Sequence, residues 1–309
     1  MIIPSHSLYA MIIVIILLTV ATIITYSKVR NNPDKDFTEL QQRVNSWWWI
    51  IGLLFVFLSV SANSAIVFFA FLSFLALKEF VSIIPTRHAD RNVLFWLYIS
   101  IPFQYYWVAT QWYGMFIIFI PVYLFLFIPM RMVLIGATDG FIKAAGVLHW
   151  VAMLTVFSVS HIAYLVVLED KNANAGAVGS VLFLILMTQS NDICQYIWGK
   201  MLGKRKIIPK VSPNKTWAGF IGGVLSITLL SALVGPLLTA LDTVQSIGAG
   251  LIISIGGFVG DVVISSVKRD LSIKDSGSLL PGHGGILDRM DSLLYTAPLF
   301  FHYLYYLKY

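Results

Sequence analysis

The sequence predicts an all-α, polytopic membrane protein. Hydrophobic residues make up 58% of the 309-residue chain and charged residues only 12%, roughly half the charge of an average soluble domain. Mean hydropathy is +0.81. Apolar runs of about 20 residues, the length that crosses a hydrocarbon core about 30 Å thick, recur along the whole chain. The basic residues also sort onto one side of a single topology, as worked out below.

The first run, 8–26, follows a segment without Lys or Arg. It lacks the basic start of a secretory signal and reads as a retained helix. The charged stretch 27–46 reads as an interfacial linker or amphipathic helix. The run 47–62 opens on Trp47, Trp48 and Trp49, which suit an aromatic belt at the membrane surface. The runs 64–84, 92–109 and 113–130 follow. Only Ala62-Asn63-Ser64 divides 47–62 from 64–84, and only Gln111-Trp112-Tyr113-Gly114 divides 92–109 from 113–130. Each pair reads either as a tight hairpin or as one longer tilted helix. Further helices are predicted at 142–168, 176–199, 217–241, 246–268 and 290–308. Alternating about ten transmembrane helices from an outside N-terminus places 18 of the 21 basic residues in inside segments. Lys171 and Lys308 fall outside, and Lys78 lies within a helix. That bias is the positive-inside pattern, so both termini are expected outside and the polar loops 200–216 and 269–289 cytoplasmic. The chain divides into N-terminal helices over 1–140 and a region carrying the chemistry over 141–309, integrated as one membrane domain.

Composition excludes other classes. Cys194 is the only cysteine, so there is no intramolecular disulfide, and a thiolate metal site is not expected. The net charge of +6 reports topology and anionic lipid contact, not nucleic acid.

Three polar segments stand out. Asp261, Ser265 and Lys268 are spaced i, i+4, i+7 and share a helix face. An acid inside the membrane is costly unless it meets a cavity, a cation or a partner, although a structural Asp261–Lys268 or Asp261–Ser265 contact would also answer that cost. The loop Pro281-Gly282-His283-Gly284-Gly285 breaks any helix, and its glycines allow close approach of a ligand to the backbone. Asp288 and Asp291 stand at the start of the last helix, where they either cap it or supply oxygen ligands for a hard cation. Lys268, Arg269, Lys274 and Arg289 can neutralise phosphate charge. His283 alone is weak evidence for catalysis. In the third segment Asp192, Gln195, Tyr196 and Gly199 share one face, followed by basic residues from Lys200 to Lys215. Such a loop usually anchors at anionic headgroups. Ser212-Pro213-Asn214-Lys215-Thr216 is a rigid turn with two hydroxyls and a lysine, suited to a phosphate or nucleotide.

These segments resemble the phosphatidate cytidylyltransferases, also called CDP-diglyceride synthases. Their pattern has a Ser, two residues, Lys-Arg, four residues, Lys-Asp, then His-Gly-Gly and Asp-Arg-x-Asp. Ser265, Lys268, Arg269, Lys274, Asp275, Gly277, Pro281, His283, Gly284, Gly285, Asp288, Arg289 and Asp291 fill it. The stretch from Asp192 through Ser212–Trp217 to Gly222-Gly223 resembles a second family segment. Two positions depart: Ala218 and Ile264 stand where family members commonly carry Glu.

The resemblance implies transfer of a cytidylyl group from CTP to phosphatidate, giving CDP-diacylglycerol and pyrophosphate in phospholipid biosynthesis. It implies Mg²⁺ held by Asp261 and Asp288, with Asp192 and Asp291 as ligands or support. Lys215, Lys268, Arg269, Lys274 and Arg289 would bind phosphates, with Ser212, Thr216, Ser265, His283, Gly284 and Gly285 adding hydrogen bonds. The active site would face the cytoplasm, in keeping with a bacterial cell membrane, and a homodimer is a family-level expectation. The departures leave open a different lipid acceptor, a CTP-dependent lipid kinase-like reaction, or a catalytically weakened relative. A transporter would carry its polar residues near the midplane on broken helices, whereas here they crowd one end.

Overall fold

The computed structural model describes residues 3–32, 36–277, 279 and 284–309. Ten long helical segments follow the predicted order. They are α1 (Ser5–Asn31), α2 (Thr38–Val60), α3 (Ala62–Ile83), α4 (Arg91–Ala109), α5 (Tyr113–Val133), α6 (Phe141–Val167), α7 (Gly176–Leu202), α8 (Trp217–Leu238) and α9 (Thr243–Asp270), then, after the single turn α10 (Leu287–Met290), α11 (Leu293–Lys308). Among the described residues there is no strand, only an isolated antiparallel bridge between Lys206 and Thr216. Eight of the helices are long and apolar enough to cross a membrane, and the chain is a multi-pass membrane protein. Of the other two, α4 has 19 residues and α11 has 16, which is short for a span of about 20.

Both ambiguous pairs are hairpins. Ser61 is extended, and its side chain accepts from the Ser64 N–H while Ser64 Oγ accepts from the Ser61 N–H. This reciprocal capping box stops one helix and starts the next. Between α4 and α5 the chain turns at Gln111, which has φ 55°.

The segment 27–46 differs from expectation. Most of its described residues belong to the two flanking helices, because α1 runs on to Asn31 and α2 begins at Thr38. Glu39, Leu40, Gln41, Gln42 and Arg43 all favour helix, and Glu39 pairs with Arg43 one turn on. The last predicted helix is likewise divided, with Asp291 and Ser292 separating α10 from α11.

The central post is α6, with 83% of its most apolar stretch buried, against 17% for α2. Helix α3 packs on α4 and on the second half of α6, while α7, α8, α9 and α11 form a second packed group. Two helices contain π-helical turns, at Phe119–Leu124 in α5 and Met153–Phe157 in α6. Pro121, which has no N–H to donate, lies within the first.

Candidate active site

The polar residues of the C-terminal half gather at one end of α7, α8 and α9. The loop from Gly203 to Thr216 folds back as a hairpin. The Ile207 N–H donates to the Lys215 carbonyl (3.2 Å), and the Trp217 N–H donates to the Arg205 carbonyl (3.0 Å). Thr216 Oγ1 accepts from the Gly219 N–H at 3.1 Å and so caps α8. A Cβ at Gly219 would lie 2.6 Å from the Gln195 carbonyl oxygen, so glycine is what lets α8 close onto α7. Together these elements enclose a cavity of about 380 Å³ lined by Asp192, Gln195, Lys200, Lys206, Lys215 and Thr216, among others. That size lies within the range of small-molecule sites.

Lys215 is the centre of a first group. Its ammonium lies 2.5 Å from Asp261 Oδ2 and donates to Gln195 Oε1 at 3.1 Å. Ser265 Oγ donates to Asp261 Oδ1 (3.2 Å), as their shared helix face predicted. Asp192 accepts from Ser292 Oγ at 3.1 Å on both carboxylate oxygens, and Asp291 accepts from the Ser292 N–H at 2.7 Å. Asp291 stands within electrostatic reach of both Asp261 and Asp192, and Asp192 feels Lys215, Asp261 and Arg289. Asp261 is therefore paired with Lys215, with Asp192 and Asp291 as acidic neighbours.

A second group is anchored about two turns further along α9, at Lys268. Lys268 Nζ donates to Asp288 Oδ1 at 2.8 Å, and Asp288 Oδ2 accepts from the N–H groups of Ser276 (2.9 Å) and Gly285 (3.0 Å). Burial pushes the Asp288 carboxyl up, but the hydrogen bonds from Lys268, Gly285 and Ser276 outweigh it and hold the group below its ordinary value.

Asp288 and Asp261 thus have different ion-pair partners in the structure. Asp288 serves Lys268 and the loop backbone, and Asp261 stands with Asp192 and Asp291. Arg269 Nε donates to the Val211 carbonyl (3.2 Å), joining the end of α9 to the hairpin. Ser212 is half-buried in the hairpin, and Lys274 is exposed. Gly284 takes a left-handed conformation, φ 81°, which glycine adopts without strain. The Gly285 N–H already donates to Asp288. Arg289 Nε is buried without a hydrogen-bond partner among the described residues. His283 and Pro281 lie outside the described residues.

The two departures are also placed. Ile264 is 2% exposed and belongs to the apolar core, away from the cavity lining. Ala218 is half-buried in the first turn of α8.

Residues 41–307 match the model of the cytidylyltransferase family. The chain belongs to that family. It is 45% identical over 293 residues to an uncharacterized Escherichia coli K12 protein, YnbB, covering 95% of this chain and 96% of YnbB. It is also 45% identical over 125 residues to the phosphatidate cytidylyltransferase of Staphylococcus aureus strain COL, covering 38% of this chain and 46% of that protein. With the phosphatidate cytidylyltransferase of Bacillus subtilis 168 it shares 41% identity over 133 residues, 42% of this chain and 49% of that enzyme. Those two matches span just under half the length of the enzymes concerned.

For a cytidylyltransferase, whose chemistry turns on phosphates, acids alone are an incomplete site. Among the described residues no three acids, histidines or cysteines converge tightly enough to cage a metal. A Mg²⁺ ion does not need such a cage: it keeps waters and takes one or two carboxylates together with substrate phosphates. Asp261 with Asp192 or Asp291 offers the one or two carboxylates of that mode.

Reading the sequence alone missed Lys200 and Lys206 as cavity residues, Ser292, whose hydroxyl donates to Asp192 and whose N–H donates to Asp291, and Glu79. The first two looked like membrane anchors. Glu79 carried a signal, an acid in the apolar run of α3, which is expensive unless partnered.

Proposed function

We propose that this protein is a phosphatidate cytidylyltransferase that converts CTP and phosphatidate to CDP-diacylglycerol and pyrophosphate, with its site open to the cytoplasm. The observation that carries the reading is the arrangement of the signature along one face of α9. A Lys215–Asp261 pair and a Lys268–Asp288 pair are anchored about two turns apart on α9, beside a cavity lined by further lysines. The identity with the two bacterial phosphatidate cytidylyltransferases supports the substrate assignment. The basic loops at the same end support a cytoplasmic site through the positive-inside pattern.

In this reading Lys200, Lys206 and Lys215 take the nucleotide phosphates in the cavity. Arg289, whose buried Nε lacks a partner among the described residues, and Lys268 are placed to take the phosphate of the lipid. A Mg²⁺ ion held by Asp261 with Asp192 or Asp291 would neutralise charge on the phosphates. A lipid phosphate oxygen forms a bond to the α-phosphorus of CTP. The bond from that phosphorus to the bridging oxygen breaks, and pyrophosphate leaves with the electron pair. The lipid phosphate is itself the nucleophile, so the chain's residues align the two phosphates and neutralise their charge. No covalent enzyme intermediate is required.

The buried position of Ile264 and the presence of Asp192 and Asp291 around Asp261 support full activity despite the two departures. The test uses purified protein in nanodiscs with phosphatidate, Mg²⁺ and CTP labelled at the α-phosphate. Label in a CDP-lipid, lost in Asp261→Asn, is the expected result. Folded protein that yields no labelled lipid overturns the reading, and release of CDP in place of pyrophosphate would make the enzyme a kinase.

A further inference from the structure

Glu79 lies near the end of α3, in the N-terminal half and outside every signature position. It is 9% exposed, yet its carboxylate meets the signature loop from both sides. Ser276 Oγ donates to Glu79 Oε1 at 2.5 Å, the Ile286 N–H to Oε2 at 2.7 Å and the Leu287 N–H to Oε1 at 3.0 Å. Asp288 makes the complementary set, accepting from the N–H groups of Ser276 and Gly285. Each acid therefore bridges the two ends of the same loop, and Ser276 is held by both, through its N–H and its hydroxyl. The N–H groups of residues 285, 286 and 287, which open α10, are all taken by Glu79 or Asp288.

The approach is close enough to dictate residue type. A Cβ at Gly285 would lie 2.0 Å from Glu79 Oε1, and one at Gly277 would lie 3.0 Å from Glu79 Cδ. Both glycines are signature positions, and here their missing side chains make room for a carboxylate from another helix.

We propose that Glu79 is a positioning residue for the signature site: it clasps the Ser276 and Ile286–Leu287 ends of the loop so that Asp288 holds Lys268 toward substrate. As a statement about catalysis, this rests on the function proposed above. Glu79 touches no reacting atom. It acts through the loop, as groups that orient a primary ligand do; losing such a group typically costs about 10–100-fold in activity.

Glu79→Gln is the sharpest variant, because it keeps length and volume but turns one acceptor oxygen into an NH₂ group facing backbone donors. Two readouts are taken on the full chain in nanodiscs: steady-state kinetics with CTP and phosphatidate, and amide hydrogen exchange resolved at Ser276–Gly277 and Gly285–Leu287. Expected are a kcat about 10–100-fold lower, a KM for CTP close to that of the parent, and faster exchange confined to those amides. Ser276→Ala, which removes one hydroxyl donor and leaves the backbone bonds, should show the same pattern in milder form and serves if Glu79→Gln does not fold. Parent-like kcat, or parent-like exchange at Ile286 and Leu287, overturns the proposal. So does faster exchange spread over the whole bundle in Ser276→Ala, which would make the contact merely structural. If the parent protein makes no CDP-lipid, the functional reading has failed, and the exchange data then decide the clasp by themselves.

Discussion

Asp288 and Asp261 should fail in different ways when truncated. Asp288→Ala removes the acceptor for three donors, Lys268 Nζ and the N–H groups of Ser276 and Gly285. Its side chain is 4% exposed and that of Lys268 is 18% exposed, so water reaches the carboxylate position poorly. Two buried amides left unpaired cost about 1–3 kcal/mol each. Breaking a buried ion pair costs about 3–5 kcal/mol, less here because Lys268 can turn partly to solvent. These terms share one loop that relaxes as a unit, so they do not sum; a net loss of about 3–5 kcal/mol is expected. Asp261→Ala removes a pair whose side chains are 18% and 22% exposed and one Ser265 contact. It also relieves repulsion with Asp192 and Asp291. Its net cost should be about 0–1 kcal/mol. Both variants should lose about 10²–10³ in turnover. Denaturant and thermal unfolding in the same detergent, followed by near-ultraviolet circular dichroism, measure the first difference, and the labelled-CTP assay measures the second. Equal stability of the two variants would refute the division of labour between the acids.

Three further outcomes follow from the same geometry. Lys215→Met removes the cation that sits on Asp261, so Mg²⁺ should bind more tightly to the protein without nucleotide, while the KM for CTP rises; calorimetric Mg²⁺ titration with unchanged affinity would contradict this. Thr216→Val removes the cap on α8 and should cost about 1 kcal/mol of stability, read from the unfolding midpoint. The folded value of the Asp288 carboxyl lies below the ordinary 3.8, so its contribution is complete above that value and is lost as pH falls through the depressed folded value. Parent stability relative to Asp288→Ala should accordingly be flat from neutral pH down to about 5 and shrink in the acid range below it.

Much of the architecture was legible because its causes are local. Length and apolarity mark a long apolar helix whatever surrounds it. The Asp261–Ser265 contact followed from helix periodicity alone. The charged stretch 27–46 offers a linker or an amphipathic helix, and the structure makes its second half the start of α2, where helix propensity and a Glu39–Arg43 pair extend the helix back to Thr38. Ser61 was legible in principle as a capping residue with Ser64 three positions on.

The site was legible as a set of residues and not as a set of partners. The signature named Lys268, Asp288 and Asp291, the second family-like segment Asp192 and Lys215, and helix spacing Asp261, because residue type and spacing are written along the chain. Which acid meets which cation was decided by how α7, the hairpin before α8, and α9 pack. The rise of α9 parts Lys268 from Asp261 and hands it to Asp288. Glu79 reaches Ser276 across 197 positions of sequence, a contact no local pattern encodes. By itself the sequence determined the all-α, multi-pass character and the residue types available at one end. The tertiary structure alone decided that a carboxylate from α3 closes the loop and that the acids divide into two groups, because hydrogen bonds and ion pairs depend on distances that only packing sets.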